Sequence, residues 1–306
     1  MSVPTTRTKE RASVSIDYGR CSSCRQCVAV CKDFTLIWKE GKVMVSDNPA
    51  FGCIACGHCM AICPENAVTV NGRTLSESDL FEIPSAEESA SFESLYNLLK
   101  RRRSVREFKN IEIEEDKINK IIEASSTSPM GIPPSDVNLL IIKGKNKNRE
   151  FAEDFCSMLD KMKWLVSWWF LALMRPFWGK SNDELFRGFI KPMINLFTAR
   201  MREGENLVTY DAPLAIYFYA SQYADPADPI IAATTAMYAA ESLGLSTCMI
   251  GSVHPLIQQG ALASKFREKY KIKGKSREGL IVLFGYPAVK YKKGVKRSFC
   301  SETTIN

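Results

Sequence analysis

The stretch that decides the fold reads Cys21-x-x-Cys24-x-x-Cys27-x-x-x-Cys31 and, after a spacer, Cys53-x-x-Cys56-x-x-Cys59-x-x-x-Cys63-Pro64. These two runs hold eight of the eleven cysteines in a chain of 306 residues. Gaps of two residues allow one short loop to place three thiolates around a single metal centre. The fourth thiolate must then come from elsewhere, and in this repeated pattern it comes from the other run.

The spacing is that of a bacterial-type ferredoxin with two 4Fe–4S clusters, and it predicts a segment that moves single electrons. The predicted ligands form a first set, Cys21, Cys24, Cys27 and Cys63, and a second set, Cys53, Cys56, Cys59 and Cys31. The first run has Lys32 where the second closes with Pro64, a position that supplies no ligand.

Zinc binding and disulfide bonds are the two alternatives to iron–sulfur clusters for these cysteines. Zinc takes four ligands per site and has no need for the duplicated third and fourth cysteines. Disulfide scaffolds are typical of short secreted chains, whereas residues 1–15 are polar and lack the apolar core of a signal peptide. We therefore expect a protein of the reducing cytoplasm.

The amino-acid composition limits the classes of partner that we expect for this chain. The chain is 45% hydrophobic and 25% charged, with a net charge of +7, which is ordinary for a globular protein of about two domains. No continuous basic face with interleaved aromatic residues is visible, so we expect no nucleic-acid partner. We also expect no membrane partner.

The chain is predicted to divide into a ferredoxin-type domain (1–75), a linker (76–91) and a larger domain (92–306). The linker is acidic and rich in serine, a composition that buries little apolar surface. Within the first domain, residues 36–45 predict a hairpin around Glu40-Gly41. In the larger domain the pattern predicts helices at 92–100 and 114–124, and strands at 137–142, 214–220 and 279–285.

Several motifs of the larger domain are informative because of the order in which they occur. They are Arg102-Arg103-Ser104-Val105-Arg106-x-Phe108, the turn-rich loop 125–135, Asp211-Ala212-Pro213, and the segment 239–245 leading to Ile250-Gly251. Together they resemble the FMN-binding nitroreductase family over about residues 92–300, and the whole chain resembles ferredoxin–nitroreductase fusions. The resemblance implies an α+β fold with a central, mostly antiparallel sheet. It also implies a homodimer with FMN at the subunit interface and a C-terminal tail that crosses to the partner.

The resemblance implies FMN contacts as well. The phosphate and ribityl chain would meet Arg102, Arg103, Ser104 and Arg106, joined from the tail by Lys296 and Arg297. The isoalloxazine edge would meet Pro129, Met130, Gly131, Ile132, Pro133 and Ser135, and its other face Ile250, Gly251 and Ser252. Many family members have Asn and Gln where Pro133 and Ser135 stand. No residue is identified as catalytic.

An aromatic-rich insertion, about residues 151–205, holds four of the five tryptophans. Its uninterrupted apolar run is too short to span a bilayer. Three interpretations stay open: the core of a dimer or domain, a lid over the flavin pocket, and a helix on a membrane surface. Outside the two runs, Cys156, Cys248 and Cys300 are expected to be buried, inert thiols, His58 to pack by a cluster, and His254 to be structural.

These observations predict an FMN-dependent oxidoreductase that passes electrons from a donor through two 4Fe–4S clusters to FMN and on to a small organic acceptor, such as a nitroaromatic or a quinone. The electron donor is left open: it is ferredoxin or flavodoxin, or it is NAD(P)H. If the donor is NAD(P)H, the clusters would be an outlet for electrons from FMN. A further alternative is a non-enzymatic electron carrier or redox sensor.

Overall fold

The structure is a computed structural model and describes residues 10–131, 136–222, 224–258, 260–273 and 276–305. Its N-terminal part contains short elements only. They are β1 (Ser13–Ile16), α1 (Gln26–Val30), β2 (Leu36–Lys39), β3 (Lys42–Val45), α2 (His58–Ala61) and β4 (Val68–Asn71).

Two antiparallel strand pairs frame this module. The predicted hairpin is confirmed: β2 pairs with β3, and Glu40 and Gly41 at its tip have φ of 53° and 76°, as a two-residue turn of type I′ requires. β1 pairs with β4, which brings the two ends of the module together. Between the pairs lies a small core that includes Leu36, Met60 and Val70.

The backbone repeats itself between the two cysteine runs. Ser23 and Ala55, two residues after the first cysteine of each run, have φ of 60° and 58°. Arg25 and Gly57, two residues further on, have φ of 66° and 75° and immediately precede α1 and α2. This left-handed conformation is unfavourable for residues other than glycine. The repetition of the turn therefore shows that both runs are folded into the same loop.

Residues 77–91 are exposed and lead to the larger part of the chain. Its helices are α3 (Phe92–Arg101), α4 (Glu115–Ser126), α5 (Lys145–Met162), α6 (Trp168–Leu185), α7 (Lys191–Arg202), α8 (Ala227–Ser242), α9 (His254–Gln258) and α10 (Ala261–Lys269). Its strands are β5 (Asn138–Lys143), β6 (Leu214–Tyr219), β7 (Ser246–Ile250) and β8 (Gly279–Gly285), which form an antiparallel sheet in the order β5-β6-β8-β7.

The central strands are buried because helices cover both faces of the sheet. On β6, Ile216 and Phe218 point into a core shared with α4 and α8, while Tyr217 and Tyr219 point into a core shared with α5, α7 and α10. This alternation is the two-residue period of a strand. The predicted α+β fold with flanking helices is therefore confirmed.

The aromatic insertion forms a helical layer outside the second of these cores. After α5 the chain makes a short turn at Lys163–Val166, enters α6, and passes through a π-helical turn at Phe186–Ile190 into α7. α6 is kinked at Gly179, whose φ of 78° and ψ of 174° are not helical. Within the described residues, no helix has both the length and the apolar character needed to cross a bilayer.

Candidate functional site

The first set of cysteines comes together as the spacing predicted. Burial raises the pKa of the Cys27 thiol, and the neighbouring thiols of Cys63, Cys21 and Cys24 raise it further. Cys63, from the second run, therefore lies with the first run. The Cys63 sulfur also accepts a hydrogen bond from the Ala67 N–H at 3.2 Å.

The second set forms in the complementary way. Burial raises the pKa of Cys59 to about 12, with smaller contributions from Cys56, Cys53 and Cys31. The Cys31 sulfur accepts a hydrogen bond from the Leu36 N–H at 3.4 Å. Hydrogen bonds to ligand sulfur tune the potential of a cluster. Because a metal ligand must be a thiolate, cluster assembly here has to release protons from Cys59 and Cys27.

Each set supplies the four thiols that one cubane cluster requires. Among the described residues, no three His, Cys, Asp or Glu side chains are placed to hold one metal ion.

The two sets have different surroundings. Cys24 of the first set is exposed, and exposed cations stand beside it along the chain at Arg20 and Arg25. The second set instead faces a cavity of about 560 Å³. One side of that cavity is lined by Cys31, Cys53, Cys56 and Cys59, and the other by Ser128, Pro129, Met130 and Gly131.

The loop on the far side of this cavity is tied to α8. The Gly131 N–H donates a hydrogen bond to Asp228 Oδ1 at 2.9 Å, and the Ser128 hydroxyl donates to Thr235 Oγ1 at 2.9 Å. Asp228 is only 3% exposed, and its burial raises its pKa, with Asp225 and Asp136 adding to the effect and the Gly131 hydrogen bond opposing it. Sequence reasoning missed Asp228 because its partner lies 97 residues away.

The arginine segment that follows α3 is held by backbone hydrogen bonds. Ser104 forms a parallel bridge to Thr247 of β7, and the Val105 N–H donates to the Thr247 carbonyl at 3.0 Å. Further on, the Lys109 N–H donates to the Tyr286 carbonyl at 2.8 Å. These bonds place the basic segment at the free edge of the sheet.

The basic segment leaves a buried donor without a partner. Arg102 Nη1 is buried and makes no hydrogen bond to any residue that the structure describes, although buried polar groups are almost always paired. Arg102 and Arg106 both lie close enough to Cys248 to lower its pKa, against the larger effect of burial, which raises it. Arg103 Nη1 donates to the Arg102 carbonyl at 2.7 Å. Two converging guanidinium groups with an unpaired buried N–H fit an anion such as the FMN phosphate.

The tail reaches the same place. A Cβ atom added to Gly294 would overlap the Arg103 guanidinium, so the tail lies directly against this side chain of its own chain. Lys296 and Arg297 follow and are exposed. At the end of β7, Ile250 is buried, Gly251 exposed and Ser252 half-buried. The predicted contacts Ile132, Pro133 and Ser135 lie outside the described residues.

The remaining cysteines and histidines are placed as follows. Cys156 and Cys248 are buried as expected, but Cys300 is exposed, because the tail makes no apolar core around it. His254 is buried and hydrogen-bonded to the Tyr217 hydroxyl at 2.7 Å, and burial lowers its pKa. His58 is exposed and lines the cavity beside the second set.

Comparisons with known proteins agree with this geometry. Residues 99–286 match the model of the nitroreductase family, and residues 20–68 match that of a 4Fe–4S dicluster domain. No curated protein matches the chain. An FMN-bound nitroreductase from Bacteroides fragilis is 20% identical, with a TM-score of 0.50 over 69% of this chain and 97% of its own. An FMN-dependent nitroreductase from Clostridium difficile R20291 is 18% identical (TM-score 0.47, 69% and 98%), and an FMN-bound nitroreductase from Desulfitobacterium hafniense is 20% identical (0.47, 69% and 98%).

Proposed function

The chain belongs to the nitroreductase family and carries a 4Fe–4S dicluster domain, and we propose that it relays electrons from a donor protein through two clusters and FMN to an organic acceptor. When bound, the clusters carry one electron each, and FMN takes up two and can release them together as a hydride. The observation that supports this order is the shared cavity. The thiols of the second set and the loop Ser128–Gly131 are its two walls.

In this proposal the cysteines hold the clusters as the two sets defined above. Arg102 and Arg103 bind the FMN phosphate, with Ser104 and Arg106 beside them and Lys296 and Arg297 closing over it from the tail. Pro129, Met130 and Gly131 meet the isoalloxazine edge, and Ile250, Gly251 and Ser252 meet its other face. Asp228 positions the loop by holding the Gly131 N–H.

The surroundings of the first set favour a protein donor. We define the donor patch as Arg20, Arg25, Lys39 and Lys42, four exposed cations that outnumber Asp17 and Glu40 in the same region. The Arg25 guanidinium stacks on Trp38 at 3.9 Å, which joins the hairpin to the cysteine loop. A cationic surface around an exposed ligand thiol suits docking of an acidic electron carrier such as ferredoxin or flavodoxin.

The proposed assembly is a homodimer. On α3, Phe92, Leu95, Tyr96 and Leu99 follow the spacing of a buried helix face, yet all four are exposed. A second copy of the chain would cover this stripe. Because α3 leads directly into the arginine segment, such an interface would border the FMN phosphate site.

The acceptor is proposed to be a small organic molecule positioned by the flavin pocket. His254 is buried and hydrogen-bonded to the Tyr217 hydroxyl, so it is not free to donate a proton to an acceptor. We assign the protons of the reduced product to water.

The proposal is tested by the choice of donor. Anaerobic protein would be mixed with reduced ferredoxin, NADH or NADPH, and the bleaching of flavin absorbance followed by stopped flow. We expect ferredoxin to be the effective donor. Replacing Arg25 and Lys42 by Glu should slow this reaction by about tenfold or more at low ionic strength, whereas Lys265→Glu on α10 should leave it unchanged. Rapid, saturable bleaching by NADPH with no effect of the donor-patch variant would overturn the proposal.

A further inference from the structure

Before its kink, α6 is apolar except for the exposed Arg175. Phe170, Leu171, Met174 and Trp178 face inward, where Leu171 is fully buried. The outward face carries Trp168, Trp169, Leu173 and Phe177, and all four are exposed. The exposed fraction reaches 74% for Trp168 and 78% for Phe177.

Such a helix is not built for contact with water. A helix on the surface of a soluble domain shows one apolar stripe and a polar opposite face, while one that is apolar all round is covered by protein or lipid. α6 packs against the turns at Lys163–Val166 and Phe186–Ile190. Its outward residues are therefore available for contact with another molecule.

The charge around α6 indicates what kind of partner this is. Residues 160–205 contain eight Lys or Arg and five Asp or Glu, a surplus of three. Several of these cations are paired with the acids, as Lys163 is with Asp160 and Arg187 is with Asp183. The cations are Lys161, Lys163, Arg175, Lys180, Arg187, Lys191, Arg200 and Arg202. Arg175 and Lys180, which flank the kink, are both exposed.

We propose that α6 and the turn after it lie in the interface of an anionic lipid membrane, parallel to its surface. Trp169, Leu173 and Phe177, spaced four residues apart on one stripe of the helix, would enter the boundary between headgroups and acyl chains. Trp168 at the start of α6 and Phe189 on the following turn are also exposed. The flanking cations would bind anionic headgroups. Aromatic residues on one face with Lys and Arg at the margins are typical of interfacial helices.

A second copy of the chain fits this surface less well. Two copies meeting at α6 would bring together two surfaces with a surplus of three positive charges each, which opposes association. The stripe on α3 has the single-sided pattern of a protein interface, and α6 does not. The sequence left a helix on a membrane surface as one of three interpretations, and the exposure of α6 is visible only in the fold.

Vesicle binding tests the proposal. The anaerobically purified holoprotein would be sedimented with vesicles of phosphatidylcholine alone or mixed with phosphatidylglycerol. We expect it to bind the mixed vesicles, to bind phosphatidylcholine much less, and to be released by salt. Replacing Trp168 and Phe177 by Ser should weaken binding by at least about tenfold.

Two controls make the result specific. Phe81→Ser with Ile83→Ser removes side chains that are 77% and 84% exposed in the linker and should leave binding unchanged. Flavin bleaching by the electron donor should also be unchanged in the α6 variant, which separates this inference from the proposed relay. The inference is overturned if the wild-type protein ignores anionic vesicles, or if Trp168→Ser with Phe177→Ser lowers the mass in sedimentation velocity without vesicles, since the face would then be covered by a second copy.

Discussion

The two cysteine runs fold into the same loop but have different neighbours. Arg25 and Gly57 occupy equivalent positions with nearly equal φ, and each run is completed by one cysteine of the other. Cys24 is exposed, whereas the equivalent Cys56 lines the cavity whose opposite wall is the loop Ser128–Gly131.

In our account, this difference gives the duplicated module a direction. The ligands are the same in number and type, so we infer that the surroundings determine which centre meets the donor and which meets the flavin. In our account the first set is reduced by the donor and the second set passes electrons to FMN. Each prediction below changes one side of this comparison.

The largest effect is expected from the matched variants Cys24→Ala and Cys56→Ala. Each should lose about half of the iron and acid-labile sulfide, since each removes a ligand of one cluster. With reduced ferredoxin, Cys56→Ala should still show cluster bleaching while its flavin stays oxidised. Cys24→Ala should show neither cluster bleaching nor flavin reduction at the native rate.

Retained FMN and an unchanged circular dichroism spectrum would show that both cysteine variants are folded. Reduction of the flavin at the native rate in Cys56→Ala would mean that the second set is not on the path.

Arg102→Ala tests the proposed anchor of the FMN phosphate. Its buried Nη1 has no partner among the described residues, and a hydrogen bond to a charged group contributes about 1.5–3 kcal/mol. FMN affinity should therefore fall by about tenfold to a hundredfold, measured by fluorescence as FMN is titrated into the flavin-free protein. Lys109→Ala, an exposed cation nearby, is the control, and equal losses in both variants would contradict the assignment.

Asp228 is expected to have a smaller effect, which depends on pH. Asp228→Ala leaves the Gly131 N–H without its acceptor and should lower the free energy of unfolding by about 1–3 kcal/mol. Asp228→Asn keeps an acceptor and removes a buried charge, so it should be tolerated.

The pH dependence follows from the raised pKa of Asp228. The charged carboxylate is disfavoured in the folded state, so its cost is absent below the pKa of the unfolded chain and complete above the folded pKa. As the pH falls through that interval, starting from above the ordinary value of 3.8, the wild type should gain stability relative to Asp228→Asn. Urea unfolding curves that show a constant difference would contradict this cause.

The smallest effect is expected from variants at the equivalent positions Gly57 and Arg25. Gly57→Ala puts a side chain at φ 75° and should cost about 1–2 kcal/mol. Arg25→Gly relieves similar strain but loses the contact with Trp38, which is worth about 0.5–1 kcal/mol, so it should leave the stability unchanged or raise it by up to about 1 kcal/mol. Thermal unfolding of the holoprotein measures both, and equal destabilisation would show that the two loops are not equivalent.

Much of this organisation was predictable from local sequence. The cysteine spacing gave the exchange of Cys31 and Cys63 between the sets, and turn residues gave the hairpin at Glu40-Gly41. The antiparallel sheet was implied by the resemblance to the nitroreductase family, which rests on the order of the motifs.

What could not be predicted depends on contacts between distant segments. Nothing in either run says which one will face the loop Ser128–Gly131, since that is decided by packing of the module on the larger domain. Asp228 looks like an ordinary acidic residue in the first turn of α8. The apolar run around Trp168 resembles a buried helix in sequence, and only the fold shows that half of it is exposed.

The most direct test of the central claim is the order of reduction. Reduced ferredoxin would be mixed anaerobically with the protein in a stopped-flow instrument, with cluster and flavin absorbance followed together. Our account predicts that the clusters bleach first and the flavin second, with the flavin phase lost in Cys56→Ala. Bleaching of the flavin before the clusters would contradict it and would make the dicluster domain an outlet for electrons that enter at FMN.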